Sequence, residues 1–600
     1  MRVGLIATHQ ITMDKPVPLM ECLGVLALAA SLKQQSIDVE IINLYEYHHG
    51  SAPDFEKQIG SIKKVIVESK PDVLGFSTMS NNLVIALELS QRVKLELPEI
   101  VIILGGPGVS FCAKQTLEAF PQIEAIIRGE ADHAFPSWIK DLENGNSRYN
   151  VKGLVYRDND RILDNGWPDP IVNLDELPIP SYELCSKHIE YEEQPVLLEI
   201  GRGCPYGCVF CSTSKYFSRK FRVKSIGRVL KEVKLIQEKL GNRPFNFNHD
   251  LFTFNREYVE KLCEELLTLD KPPKWGCSAR LDTIDNELLI EMSKAGCMGL
   301  FLGIEAATSR LQQLINKRIN LDILFNRVES AVNQGMSVTL SFIVGFPEEK
   351  PHDIATLWHH IFRAKSISLE NVTTQVHVLV PEPGSKLLDQ LMNQLVYDET
   401  GSPGHSNFPP SDWRGLRDII KTHPEIFPAY FHYGKMPTPR NYLLKYVYLN
   451  HLVSGPAAHS LAYAYSVLGD IVPQTLAKKI KLLEIPKILW PLTDYAEAIK
   501  STRDIVDSLF TQDHNSRAMY DSILKAESAA AEIRKEKEDH FVLIDVMYNP
   551  IDLMARMRGK EWDELGVVER NRKIVVYYNK ENEDADFKEI PEEIAELLSH

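Results

Sequence analysis

Gly201-Arg-Gly-Cys-Pro-Tyr-Gly-Cys-Val-Phe-Cys211 is the stretch from which the rest of the chain is read. It places Cys204, Cys208 and Cys211 in a CxxxCxxC spacing on a loop rich in Gly and Pro. The apolar run Val196–Ile200 just before it reads as a β-strand, so the cysteines stand at a strand's carboxyl end. Thiolates are the ligands of iron–sulfur clusters, and three of them on one loop leave one iron of a four-iron cluster open. A zinc loop is the competing reading, but structural zinc takes four ligands, and no second cysteine pair lies nearby. The other cysteines among the chain's nine are Cys22, Cys112, Cys185, Cys263, Cys277 and Cys297, with none in the second half. That is too few for a disulfide scaffold in 600 residues. Cys263, Cys277 and Cys297 read as core thiols, because free Cys packs as a small hydrophobe. A reducing cytoplasm, where thiols stay free, is the expected location.

Working outward from the cysteine loop, strands and helices alternate. Strands are predicted at Val196–Ile200, Phe245–Phe247, Trp275–Ala279, Gly299–Ile304, Ser337–Val344 and Asn371–Leu379, with helical patterns between them. About six βα units imply a partial TIM-like (β/α)6 barrel over residues 191–400. Upstream, strands at Arg2–Thr8, Val39–Asn43, Val73–Ser77, Ile100–Gly105 and Ala125–Arg128 alternate with helices. This pattern predicts a doubly wound, Rossmann-like parallel sheet of flavodoxin-like order over residues 1–145, whose ligands sit at the strands' carboxyl ends. Residues 146–190 contain Trp167-Pro-Asp-Pro-Ile-Val-Asn-Leu-Asp-Glu-Leu-Pro-Ile-Pro180 and read as an extended linker. Residues 401–600 read as a mainly α-helical domain, with a short β-like pair at His540–Met547 and Lys573–Tyr578 and an acidic tail after Asn579. The whole is an α/β fold in three domains.

The formal net charge of −15 argues against a nucleic-acid partner, since such binding runs on Lys/Arg counterion release. The first ten residues read as a strand and not as a signal peptide. The best apolar run, Cys22–Leu32, is too short to span a bilayer, so no membrane association is expected.

The cysteine loop and the motifs that follow it resemble the radical S-adenosylmethionine (SAM) superfamily, and more narrowly its branch with an N-terminal cobalamin-binding domain. The resemblance covers roughly residues 1–390. It implies that Cys204, Cys208 and Cys211 bind a 4Fe–4S cluster whose open iron holds SAM, and that reduction yields a 5′-deoxyadenosyl radical. Phe210, before the third cysteine, would lie against adenine. Phe245-Asn-Phe-Asn-His-Asp250 occupies the place of the family's amino-group-binding strand end but departs from its commonest Gly-Gly-Glu form, pointing to Asn248 and Asp250. Cys277-Ser-Ala-Arg-Leu-Asp282 points to Ser278 and Arg280, Gly303-Ile-Glu305 to Glu305, and Ser341-Phe-Ile-Val-Gly-Phe-Pro-Glu-Glu349 to Val344 as further SAM contacts. Pro381-Glu-Pro-Gly-Ser385 matches the motif near the barrel's end. Arg280 with Asp282 also reads as a surface ion pair, and Glu305 as a buried structural carboxylate.

In the N-terminal domain the same resemblance points to Ser77, Thr78, Gly105, Gly106, Gly108, Gly129 and Glu130 as cobalamin-binding residues. Small residues at strand ends would let a corrin and its nucleotide tail approach the backbone. The Asp-x-His-x-x-Gly motif that supplies an axial histidine is absent; His9 lies near its place without the flanking residues, and reads better as a loop histidine. Radical methylthiotransferases carry three cluster cysteines in their N-terminal domain, whereas this one has only Cys22 and Cys112.

The implied activity is transfer of a methyl group from methylcobalamin to an unactivated carbon of a small-molecule or peptide substrate, after hydrogen abstraction by the deoxyadenosyl radical. Ring formation or rearrangement without methyl transfer is the alternative within the branch, and a non-catalytic cobalamin- or cluster-binding protein is the alternative outside it. An external electron donor such as flavodoxin or ferredoxin is expected. No residue stands out as a catalytic acid or base. Two C-terminal segments remain: His423-Pro-Glu-Ile-Phe-Pro-Ala-Tyr-Phe-His-Tyr433 reads as a helix-packing segment ahead of a pocket lining, and Ala526–Lys537 as a solvated helix.

Overall fold

A computed structural model gives the fold. It describes residues 1–7, 22–42, 55–145, 151–185, 195–398, 414–482 apart from 456, 514–536, 541–546, 572–579 and 584–590, with isolated residues between 499 and 554. His9 lies outside the described residues.

The N-terminal unit runs β1 (Arg2–Ala7), α1 (Leu23–Gln34), β2 (Asp38–Ile41), α2 (Phe55–Ser69), β3 (Val73–Ser77) and α3 (Leu83–Glu96). It continues through β4 (Val101–Gly105), the short α4 (Pro107–Ser110), α5 (Ala113–Ala119), β5 (Ala125–Ile127) and α6 (Ala134–Glu143). The five strands are parallel in the order β2-β1-β3-β4-β5, the flavodoxin-like arrangement expected. Val3, Leu5, Ile6, Leu74, Phe76 and Leu104 are all buried, as in a sheet covered on both faces. Two antiparallel strands, β6 (Leu154–Asp158) and β7 (Arg161–Asp164), continue this sheet beyond β5, so the expected boundary at residue 145 falls before them. The proline-rich passage that follows is packed and not free. Trp167 packs at a tilt against Phe111, ring centroids 5.0 Å apart, and lies under the Arg128 guanidinium.

The second unit runs β8 (Val196–Glu199), β9 (Gly201–Arg202), α7 (Thr213–Tyr216), β10 (Arg222–Val223), α8 (Ile226–Leu240), β11 (Phe245–Asn248), α9 (Arg256–Leu266), β12 (Trp275–Ala279) and α10 (Asn286–Lys294). Then come β13 (Cys297–Glu305), α11 (Ser309–Leu314), α12 (Leu324–Asn333), β14 (Ser337–Val344), α13 (Pro351–Ile367), β15 (Val372–Val378) and α14 (Lys386–Leu391). Six parallel strands form the partial barrel in the order β8-β11-β12-β13-β14-β15. Helix starts follow the local chemistry: Ser225, Asn255, Asp285, Thr308 and Ser385 each cap a helix by accepting a backbone N–H of its first turn. Cys263, Cys277 and Cys297 are buried in the barrel's hydrophobic core, as expected.

The C-terminal elements are β16 (Leu395–Tyr397), α15 (Arg414–Thr422), β17 (Phe431–Tyr433), α16 (Arg440–Ser454), α17 (Ala458–Leu468), α18 (Ile471–Lys478), α19 (His514–Glu536), β18 (Phe541–Val546), β19 (Arg572–Asn579) and β20 (Asp584–Ile590). Helix α16 covers the barrel's edge strand β15. Asn450 Nδ2 donates to the Thr374 carbonyl at 2.8 Å, and the Thr374 hydroxyl donates to Asn450 Oδ1 at 2.7 Å. The Thr374 carbonyl on the open edge of β15 is thereby satisfied by a side chain in place of another strand.

Two expectations for this region change. Ala526–Lys537 is not a solvated helix: Ala526, Ala529 and Ala530 of α19 are buried, and the Glu527 carboxylate accepts the His459 and Ser460 N–H groups at the start of α17. The acidic tail contains β20, paired antiparallel with β19. His423–Tyr433 is a packing segment, but its partner is the N-terminal unit. Phe427 meets Phe120 edge-on, and the Tyr430 hydroxyl donates to the Asn81 carbonyl.

At the carboxyl end of β14, Glu349 Oε2 accepts the Gly345 N–H at 2.8 Å, and burial pushes this carboxyl up to about 8. The folded chain keeps a proton there that the unfolded chain, with an ordinary value of 4.5, releases. The group's contribution to stability is therefore present below about pH 4.5 and is lost as pH rises towards about 8. Glu349→Gln is expected to remove that decline from a plot of unfolding free energy against pH; an unchanged slope would show that the carboxylate is relieved in another way.

Candidate functional site

Gly201 and Gly203 set the geometry of the cysteine loop. A Cβ on Gly201 would lie 2.1 Å from the Arg222 carbonyl oxygen, and Gly203 has φ +88° with its Cβ position 2.2 Å from the Lys220 carbonyl oxygen. Only glycine lets β9 pair with β10 and close that hairpin over the loop. The Gly203 N–H donates to Asp250 Oδ2 at 2.7 Å. His249 is buried, its Nδ1 accepting the Leu251 N–H, so Nε2 carries the proton towards the Arg222 carbonyl. Burial holds this imidazole neutral, pushing it down to about 4.

All three loop cysteines are free thiols and partly exposed. Burial pushes Cys204 up to about 11 and raises Cys208, and the neighbouring thiols add to both rises. They are close enough to act on one another. Yet among the described residues no three His, Cys, Asp or Glu side chains gather tightly enough for a single metal ion. A four-iron cluster would place each of the three thiolates on a different iron. Lys317 and Arg280 draw the Cys208 thiol downwards, so cations border the place where an anionic cluster would sit.

A second loop clamps the cysteines. Asn316 Nδ2 donates to the Gly207 carbonyl at 2.8 Å, and the Val209 N–H donates to the Ile315 carbonyl at 3.0 Å. Arg280 is buried, pairs with Asp282 at 2.7 Å, donates to the Lys317 carbonyl, and stacks on Tyr206 of the cysteine loop at 4.0 Å. The ion pair exists, but the arginine is not at the surface. Glu305 pairs with Lys317 at 2.9 Å. It has φ +65° and follows a bulge in β13 that shifts its register against β14. A bulge re-aims the next side chain, and strain of this kind concentrates at functional sites.

Of the other residues expected at SAM, Phe210 packs edge-on against Phe346 at 5.9 Å, and Val344 is buried at the end of β14. Ser278 lies on the half-buried face of β12, opposite buried Cys277 and Ala279. Asp250 is bonded to the cysteine loop itself, and Asn248 lines a different cavity, described next. Asn316 and Lys317 were not singled out in the sequence; they lie in a short link with no motif, and only the fold brings them to the cysteines.

A cavity of about 580 Å3 lies between the carboxyl ends of the N-terminal strands and the start of the barrel. From the N-terminal unit it is lined by apolar Leu5, Leu23, Ile103 and Phe135, and from the barrel by Arg202, Phe217 and Asn248. Ser77, Gly105, Gly106, Gly129 and Glu130 line it; Thr78 and Gly108 do not. Thr78 is buried and donates to the Gly105 carbonyl at 2.8 Å. The glycines divide by role. Cβ atoms on Gly106 and Gly108 would lie 2.5 and 2.3 Å from the backbone of Thr78 and Met79, so these two let one loop pack on another. A Cβ on Gly24 meets only the Ser77 hydroxyl, at 3.8 Å, and one on Gly105 only the Ile127 carbonyl, at 3.5 Å. Gly24, unremarked in the sequence, and Gly105 thus leave room in the cavity. Its mixture of apolar walls and polar groups would suit a corrinoid, which carries both an apolar ring face and an amide rim. Gly129 also fixes the wall, its carbonyl accepting the half-buried Tyr216 hydroxyl at 2.8 Å.

Arg202 joins the two sites. Its Nε and Nη2 donate to Glu199 (2.8 and 3.2 Å), its Nη1 to Glu130 (2.9 Å) and Asp132 (2.8 Å), and its Nη2 also to Asp132 (3.1 Å). Glu130 also accepts from Arg222 at 2.7 Å.

A family model described as B12 binding domain matches residues 10–139, and one described as Radical SAM superfamily matches residues 198–360. An uncharacterized methyltransferase of Pyrococcus horikoshii is 29% identical over 366 residues, covering 60% of this chain and 76% of its own. Cytidylyl-2-hydroxyethylphosphonate methyltransferase of Streptomyces wedmorensis is 26% identical over 371 residues, 54% of this chain and 69% of its own. An anaerobic magnesium-protoporphyrin IX monomethyl ester cyclase of Cereibacter sphaeroides is 29% identical over 293 residues, and the match spans 48% of that protein. Among solved structures, the radical SAM methyltransferase TsrM from Kitasatospora setae superposes with a TM-score of 0.57 at 13% identity, over 77% of this chain and 90% of its own. The cobalamin-dependent SAM radical enzyme OxsB superposes with a TM-score of 0.57 at 16% identity, over 94% and 84%. Two family models in that order, on a fold shared with those enzymes, give this chain a B12 binding domain followed by a radical SAM domain.

Proposed function

We propose that the protein is a cobalamin-dependent radical SAM methyltransferase that methylates an unactivated carbon of a small-molecule or peptide substrate. When bound, the cluster and SAM supply a 5′-deoxyadenosyl radical, and cobalamin supplies the methyl group. The observation that carries the reading is the common wall: the cysteine loop and the inter-domain cavity meet at Arg202.

Cys204, Cys208 and Cys211 would hold the cluster. The 315–317 link and Arg280 would fix its loop, and the Lys317–Glu305 pair would set the charge beside Cys208. Phe210, Ser278, Arg280, Glu305 and Val344 remain the candidates for SAM contacts, and Asp250 supports the loop from below. Ser77, Gly105, Gly106, Gly129 and Glu130 would border the corrinoid. Among the described residues no helix is long and apolar enough to cross a membrane. We place the protein in the cytoplasm, with a flavodoxin- or ferredoxin-like protein as electron donor.

The resemblance to both methyltransferases and cyclases makes product mass the deciding measurement. A substrate incubated with the anaerobically reconstituted enzyme and SAM carrying a CD3 methyl group is expected to exchange one hydrogen for CD3, keeping all three deuterons. A product that loses hydrogen, or keeps its mass, would assign the protein to the ring-forming or rearranging reaction.

A further inference from the structure

The Arg202 side chain uses all five of its N–H donors on three carboxylates from two domains, Glu130 and Asp132 from one and Glu199 from the other. The arginine, Glu130 and Asp132 are all buried, and all four residues line the inter-domain cavity. Arg222 and Lys224 complete the charge balance through Glu130 and Glu199. On its other side Arg202 is joined through Gly203, whose N–H is held by Asp250, to the first cysteine of the loop. A guanidinium is the side chain suited to this place, since its planar fork meets carboxylates two bonds at a time.

We infer that Arg202 is a positioning residue through which occupancy of the cavity and occupancy of the cysteine loop are coupled. The inference rests on the reading that the cavity takes cobalamin and the loop takes the cluster. A ligand filling the cavity touches the arginine and its carboxylates, and restrains the backbone that carries Cys204. A cluster bound at the loop fixes Arg202 and so presents the cavity with its wall already formed. Such coupling is reciprocal, so either direction serves to measure it. Lysine at this position keeps the positive charge, but its single ammonium cannot span the three carboxylates at once.

The test is an anaerobic absorption titration with hydroxocobalamin of the full chain, with and without its reconstituted cluster. In the wild type the cluster-loaded protein is expected to bind at least fivefold more tightly than the cluster-free protein. In Arg202→Lys the two affinities are expected to agree within twofold, with far-ultraviolet circular dichroism unchanged. Asp132→Asn keeps the arginine and the shape of the pair while removing one charge, and its ratio is expected to fall between the two. It decides the matter if Arg202→Lys does not take up iron. Equal ratios in wild type and variants, or no effect of the cluster in the wild type, would overturn the inference alone. Failure of the wild type to take up iron or cobalamin would overturn the underlying reading and the inference with it.

Discussion

Cys208→Ala is expected to abolish 5′-deoxyadenosine formation from SAM and to lower cluster iron by about tenfold or more, because in the proposed cluster each cysteine would be the only protein ligand of its iron. The reason lies in what surrounds the thiol. Lys317 and Arg280 both act on Cys208, and Glu305 acts against them, so this cysteine sits where the charged side chains of the barrel converge on the loop. No replacement thiol is at hand: Cys263, Cys277 and Cys297 are buried in the barrel core, and Cys185 is buried as well. The neighbouring pairings, Arg280 with Asp282 and Lys317 with Glu305, do not involve the sulfur and should survive. The variant is therefore expected to melt near the wild-type apo protein while lacking the brown cluster absorption. Iron content and deoxyadenosine yield, measured on one anaerobic preparation, check this. Retained iron with retained deoxyadenosine would show that the loop does not hold the cluster.

Gly108→Ala is the second large effect. Its Cβ would lie 2.3 Å from the Met79 carbonyl carbon and 2.4 Å from the oxygen, and backbone on both sides cannot give way as a side-chain tip would. The cost is expected to be about 3 kcal/mol, at the upper end for overpacking. The displaced Met79 borders the cavity, so cobalamin affinity should fall at least tenfold, about 1.4 kcal/mol. Gly60→Ala is the control: it lies in α2, nothing stands within 4 Å of its Cβ position, and it is expected to stabilise by about 0.5–1 kcal/mol. Chemical denaturation and hydroxocobalamin titration of the two variants separate the effects. Equal stability of Gly108→Ala and wild type would show that the Met79 loop can move.

Period-2 and period-3.6 patterns were enough to place β3, β12 and β14, and α1, α2 and α8, at the observed limits. In these elements each residue's burial follows from its own chemistry. The elements that escaped were those whose identity depends on a partner. The two-residue strands β9 and β10 are too short to carry a pattern. Strand β20 alternates Asp584, Asp586 and Lys588 with Ala585 and Phe587, and its charges hide the alternation. Alanines 526, 529 and 530 look like a solvated helix until α17 and the C-terminal sheet are laid on them.

The candidate site divides in the same way. The cysteine loop announces itself because thiol spacing is chemistry that needs no tertiary context. The glycines were legible as glycines, but what each makes room for was not. Gly106 and Gly108 admit backbone, whereas Gly24 and Gly105 leave space in the cavity. Glu130, expected beside the corrinoid, does line the cavity, but its partners Arg202 and Arg222 lie 72 and 92 residues further along the chain. Nothing local in the sequence pairs them. Asn316 gains its role by the same long-range closure, bonding to Gly207 across 109 residues.

The most direct measurement is the nucleoside product pattern of the wild-type chain. The protein would be reconstituted anaerobically with iron, sulfide and hydroxocobalamin, reduced with a low-potential donor and supplied with SAM. A cluster and a corrinoid working in one chain are expected to yield both 5′-deoxyadenosine, from reductive cleavage, and S-adenosylhomocysteine, from methyl transfer. Absence of both products from protein that carries iron and cobalamin would contradict the account.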